Sequence, residues 1–75
     1  MKNHNKVKIF RIESELTQKE LASNVGVTRQ TMSLIEKGEY NPTINLCLRI
    51  CYQLNKTLDE IFWIDEGEIQ HETSK

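Results

Sequence analysis

Arg29 and Gln30 stand side by side, with Thr28, Thr31, Ser33, Leu34 and Lys37 around them, in a stretch that has little core of its own to join. Those residue types suit the reading of DNA. An arginine can pair bidentately with the O6 and N7 of guanine, a glutamine can do the same with N6 and N7 of adenine, and an aliphatic side chain can lie on a thymine methyl. Lysine grips phosphate. Other reactive groups in the chain are less coherent. Cys47 and Cys51 are four apart on one helical face, but two thiolates without a third ligand nearby make a poor zinc site. Packing as small hydrophobes is the favoured reading for both. His4 and His71 lie in polar end segments. No cysteine or serine has a plausible histidine partner, and the glycines are too scattered to build a phosphate-cradling loop. Catalysis is not expected, and neither a metal nor another cofactor is implied.

The elements that hold this cluster are marked by threonines. Thr17 precedes Glu20 by three residues, the spacing of a capping box, so a helix should open there. Leu21, Ala22 and Val25 then share one face, and Gly26 follows where the chain must turn with a positive φ, which ends this helix at about Asn24 or Val25. Val27 can plug the corner. Thr28 is a second N-cap, and Met32 and Ile35 are the well-spaced inward positions before Gly38. Residues 17–36 therefore read as two short helices joined by a tight turn, the second with a polar outward face.

On either side the pattern continues. Val7 and Phe10, with Ile9 as an option, lie on one stripe ahead of Glu13, so Asn5 to Ser14 reads as a first helix. The segment EYNPT is a loop, because the residue before Pro42 is pushed away from helix, and Thr43 is a third cap. From Ile44 to Leu54, Leu46, Cys47, Ile50, Cys51 and Leu54 recur at three and four. Thr57 to Glu60 repeats the capping box, and Leu58, Ile61 and Phe62 give a short fifth helix. The fold class expected is all-α, with a domain over residues 5–62. A short strand or hairpin is an option near 62–70, within a tail of 63–75. Trp63 and Ile64 are too apolar to leave bare, so they are expected to pack on the core or on a second subunit.

Seventy-five residues make one small domain, which buries only about 60% of its unfolded surface. No apolar run approaches the roughly 18 residues that cross a membrane, and Met1 to Phe10 lacks the apolar stretch of a signal peptide. A cytoplasmic protein is expected. The net charge of −1 is unevenly spread: residues 1–38 carry seven Lys/Arg against four Glu, and residues 39–75 carry three against seven Asp/Glu. A positive docking face on a near-neutral chain is thereby allowed, since local field steers association.

The segments LTQKELA, GVTRQTMSLIEKGEYNPT and LDEIF resemble, in order and spacing, the Cro and phage-repressor class of helix-turn-helix regulators, the XRE family, over roughly Lys6 to Phe62. Its small single-domain homodimers of the cytolysin-repressor type look most similar. The resemblance implies a five-helix, lambda-repressor-like domain whose second and third helices bind double-stranded DNA. Gln18 matches the glutamine that contacts the DNA backbone and braces the recognition helix. Thr28, Arg29, Gln30 and Thr31 match the stretch that enters the major groove, with Ser33 and Leu34 one turn on. Lys37, Tyr40 and Asn41 match phosphate-contacting loop positions. Arg11 and Glu36 match an internal salt bridge. Glu15 stands where relatives often have glycine, and Cys47 and Cys51 stand where the fourth helix often has alanine; these departures bear on the turn and the core. Lys6, Lys8 and Lys19 stay open between phosphate contact and ordinary surface.

The function expected is sequence-specific transcriptional regulation, as a homodimeric repressor reading an inverted repeat with half-sites about one turn apart. Leu58, Phe62, Trp63 and Ile64 are the expected dimer anchors. A regulatory protein partner is an option in this reading; the rival from another class is an antitoxin-like or adaptor module whose main partner is another protein. Binding of RNA or single strands is disfavoured by the lack of an aromatic stacking platform.

Overall fold

Three threonines start three of the helices in the computed structural model, which describes residues 4–62. Thr17, Thr28 and Thr43 each sit in extended backbone, and each hydroxyl accepts from the amide three residues on. The helices are α1 (Val7–Glu13), α2 (Gln18–Val25), α3 (Arg29–Glu36), α4 (Ile44–Leu54) and α5 (Leu58–Phe62). At Thr17 the capping box is complete, with the Glu20 carboxylate accepting from the Thr17 amide at 2.8 Å. At Thr57 only that returning half forms, because the Glu20 counterpart there, Glu60, donates its amide to the Thr57 carbonyl. α2 ends at Gly26, whose φ of 83° lies in the left-handed region that glycine adopts without a Cβ penalty.

α1 is shorter than the apolar stripe predicts. Asn5 lies outside it and works as a tertiary clasp: its side-chain oxygen accepts from the Val7 amide, and its side-chain nitrogen donates to the Ile35 carbonyl at 2.8 Å. Ile9, an optional inward position in the sequence reading, points out and is 55% exposed. Behind Glu13 the chain turns through Glu15, a non-glycine residue at φ 60°.

The core draws on every helix: Val7 from α1, Leu21, Ala22 and Val25 from α2, Met32 and Ile35 from α3, Leu46, Ile50, Cys51 and Leu54 from α4, and Ile61 from α5. α2 packs chiefly on α3 and α4, while α1 bridges α3, α4 and α5. Phe10, Leu16, Val27, Leu58 and Phe62 close the margins, and the Lys56 ammonium lies 4.7 Å from the centre of the Phe10 ring. The Lys6 amide donates to the Ile61 carbonyl at 2.8 Å, which ties the start of α1 to α5. Cys47 and Cys51 are buried free thiols, as small apolar residues in the core should be.

The described residues are helical to Phe62 and include no strand. The strand or hairpin expected near 62–70, and the anchors Trp63 and Ile64, lie outside them. No described helix is long and apolar enough to cross a membrane.

Candidate nucleic-acid interface

α3 meets the core through Met32 and Ile35, both fully buried. At about 100° per residue, Arg29, Gln30, Ser33, Leu34 and Lys37 then fall on a single arc facing away from that pair. Arg29, Gln30 and Lys37 are exposed, and Ser33 and Leu34 are half-buried. Thr31 sits beside Ile35 at the edge of the arc, half-buried, with its hydroxyl accepting from the Thr28 hydroxyl at 3.0 Å. Thr28 therefore serves as cap and anchor for Thr31 together.

A three-membered polar clasp holds this helix. The Arg11 guanidinium from α1 donates through Nε to Glu36 Oε2 at 2.6 Å, and Gln18 Nε2 from α2 donates to Glu36 Oε1 at 3.0 Å. A second Arg11 nitrogen reaches the Leu16 carbonyl at 2.8 Å. Arg11 and Glu36 side chains are only 12% and 4% exposed, so the pair is shielded and its hydrogen bonds are satisfied within the protein. The internal bridge and the bracing glutamine expected from the sequence are both present.

Around the clasp, Lys8, Arg11, Gln18, Ser33, Glu36 and Lys37 line one cleft of about 290 Å³. Glu36 compensates Arg11, and among the described residues Lys8 and Lys37, which line the same cleft, have no ion-pair partner. The sequence left Lys8 undecided, because its placement depends on how α1 is rotated against α3. Tyr40 and Asn41 lie exposed in the loop after α3. Of the expected site residues, the cleft gathers Gln18, Ser33 and Lys37; Arg29 and Gln30 stand at the opposite, N-terminal end of α3. Leu58 and Phe62 are half-buried against the core.

No group of three or more His, Cys, Asp or Glu that could hold a metal ion occurs among the described residues. Burial pushes the Cys47 and Cys51 thiols above their ordinary range, which disfavours the reactive thiolate.

The Helix-turn-helix family profile matches residues 7–61. The HTH-type transcriptional regulator YgzD of Bacillus subtilis is 44% identical over 62 residues, covering 83% of this chain and 94% of that protein. An HTH-type transcriptional regulator of Archaeoglobus fulgidus is 42% identical over 64 residues, covering 85% and 90%. Among solved structures, the restriction-modification controller protein C.AhdI of Aeromonas hydrophila superposes with a TM-score of 0.68 at 24% identity, covering 73% of this chain and 80% of that one. The clp gene regulator ClgR of Corynebacterium glutamicum gives 0.72 at 20% identity, covering 91% and 72%. These two likenesses establish the fold.

Proposed function

The chain belongs to the helix-turn-helix family of DNA-binding transcriptional regulators, and we propose that it acts in the cytoplasm as a homodimeric repressor on an inverted-repeat operator. The observation that carries this reading is the exposed Arg29–Gln30 end of α3 on a helix whose other end is clasped by Arg11 and Gln18 through Glu36. A side chain can discriminate bases only if the helix bearing it keeps its register, and the clasp supplies that stiffness.

In this reading α3 enters the major groove, where Arg29 takes guanine and Gln30 takes adenine. Thr28, Thr31 and Ser33 contact the groove wall, and Leu34 reaches a thymine methyl. Gln18, Lys37, Tyr40 and Asn41 hold phosphates, joined by Lys8 across the cleft. Two copies place two α3 helices about one turn apart on one side of the duplex. Leu58 and Phe62 border the dimer contact with Trp63 and Ile64 beyond them. Neither catalysis nor a cofactor enters this scheme.

The test is selection of bound sequences from a random duplex library at about 0.15 M salt, a stringency that suppresses purely electrostatic binding. Enrichment of an inverted repeat is the expected result. Failure to enrich any sequence, with the protein folded, would sink the operator-reading proposal and favour an adaptor-like role with a protein partner.

A further inference from the structure

Charge is divided along this chain in a way that DNA reading alone does not require. Residues 63–75 hold Asp65, Glu66, Glu68 and Glu72 against Lys75, four negative charges to one positive, whereas residues 1–38 hold seven Lys/Arg against four Glu. Lys8 and Lys37 belong to the positive part and line the cleft of about 290 Å³. The carboxylate in that cleft, Glu36, is spent on Arg11 and Gln18. The neighbours one helical turn away, Arg11 and Ile12 for Lys8, and Ser33 and Leu34 for Lys37, offer no other. Cations elsewhere are differently placed. Lys56 lies over the Phe10 ring, Arg49 approaches Gly26, and Lys19 shares its groove with Glu20.

The acidic segment also departs from beside these lysines. α5 ends at Phe62, and the Ile61 carbonyl accepts from the amide of Lys6, two residues ahead of Lys8. At roughly 3.3 Å per extended residue, Asp65 reaches about 10 Å from Phe62 and Glu68 about 20 Å. α1 is itself only about 10 Å long, so the acidic residues can pass along it and arrive at the cleft. Lys6, exposed at the point of departure, extends the positive path.

We propose that the acidic segment, residues 65–68, docks on the Lys8–Lys37 cleft of its own chain in the free protein and competes there with DNA phosphate. The inference deepens the DNA-binding reading above and rests on it. Carboxylate and phosphate offer an ammonium the same kind of charged acceptor, so one cleft serves either. The tether makes docking intramolecular and raises the effective concentration of the carboxylates at the cleft. Exposed ion pairs are individually weak, so the segment yields to duplex DNA, whose dense phosphates release counterions on binding. Arg29 and Gln30, at the other end of α3, stay open while the segment is docked. Duplex that offers phosphates alone must therefore displace the segment unaided, whereas a site that also engages Arg29 and Gln30 displaces it readily. Trp63 and Ile64 lie between Phe62 and the acidic segment and keep the role proposed above.

The test compares the full chain with a variant carrying Asp65→Asn, Glu66→Gln and Glu68→Gln. Its helical circular dichroism should match wild type, since no substituted position lies within α1 to α5. In nuclear magnetic resonance spectra of the DNA-free protein, the variant should shift the backbone amide signals around Lys8 and Lys37, and about 0.5 M salt should produce the same shifts in wild type. Affinity for a random-sequence duplex at low salt should rise roughly fivefold in the variant. That gain should vanish when the same three substitutions are made in a Lys8→Ala, Lys37→Ala protein. A gain that persists there comes from repulsion through solvent by an undocked segment and overturns the docking, as does an absence of shifts at the cleft. If an operator is enriched while the variant leaves the cleft signals unmoved, the docking fails and the DNA reading stands. Cleft shifts in a protein that binds no duplex would overturn the competition together with the DNA reading.

Discussion

Arg11 and Glu36, twenty-five positions apart in the chain, meet at 2.6 Å and join α1 to the last turn of α3. Because both side chains are nearly out of water, removing one partner leaves the other shielded and unbalanced. Arg11→Ala should therefore cost roughly 3 kcal/mol of folding stability. Chemical denaturation measures this, and an unchanged midpoint would show that the pair contributes nothing.

Base reading and phosphate grip should separate by residue. Arg29→Ala and Gln30→Ala are each expected to cost about 1 to 3 kcal/mol on the preferred site and to relax preference at one base position. Lys8→Ala and Lys37→Ala should instead weaken all sequences alike and each reduce the salt-dependence slope by about one. Selection profiles and salt titrations of the four variants check both halves. Wild-type profiles for Arg29→Ala and Gln30→Ala would move the reading face elsewhere.

Glu15 holds a left-handed backbone at φ 60°, where a Cβ crowds the following carbonyl. Glu15→Gly should relieve that crowding and raise stability by about 1 kcal/mol, without altering the selected DNA sequence. Denaturation midpoints measured in parallel decide it, and a destabilised variant would mean that the carboxylate has a role the backbone argument omits.

Burial raises the thiol pKa of Cys47 and Cys51, so the folded chain holds those protons more tightly than the unfolded chain does. The stability contributed in this way is full at neutral pH and is lost as pH climbs past the unfolded thiol value of about 8.5. Melting temperature should thus fall more steeply above that pH in wild type than in Cys51→Ala. Alkylation at neutral pH should be slow until the chain unfolds. Rapid alkylation of the folded protein would contradict it.

Much of this is legible in the sequence. Thr17, Thr28 and Thr43 mark helix starts through bonds that span three residues, so local pattern suffices, and the five core positions of α4 follow from periodicity alone. The outward face of α3 was readable because Met32 and Ile35 leave so few inward positions. What escaped depends on contacts between distant segments. Asn5, ahead of α1, accepts from the Val7 amide and donates to the Ile35 carbonyl, so its side chain is spent on a tertiary contact thirty residues away and the helix begins only at Val7. Ile9 turned outward and Lys8 joined the cleft because the Arg11–Glu36 bond sets the rotation of α1. Leu58 and Phe62, expected as dimer anchors, are half-buried against the core, a contact that only the packing of α5 on the other helices decides.

The bond from the Lys6 amide to the Ile61 carbonyl brings the first and last parts of the core to one point. Over the described residues the helices in this sense form a loop with a single cut. A chain reopened in the exposed loop around Tyr40 and Asn41, with Phe62 joined to Asn5 by a short flexible bridge, would meet the same neighbours in a different order. The described core contacts would be kept while the loop proposed to grip phosphate became two ends, so folding and DNA grip could be measured apart in one molecule.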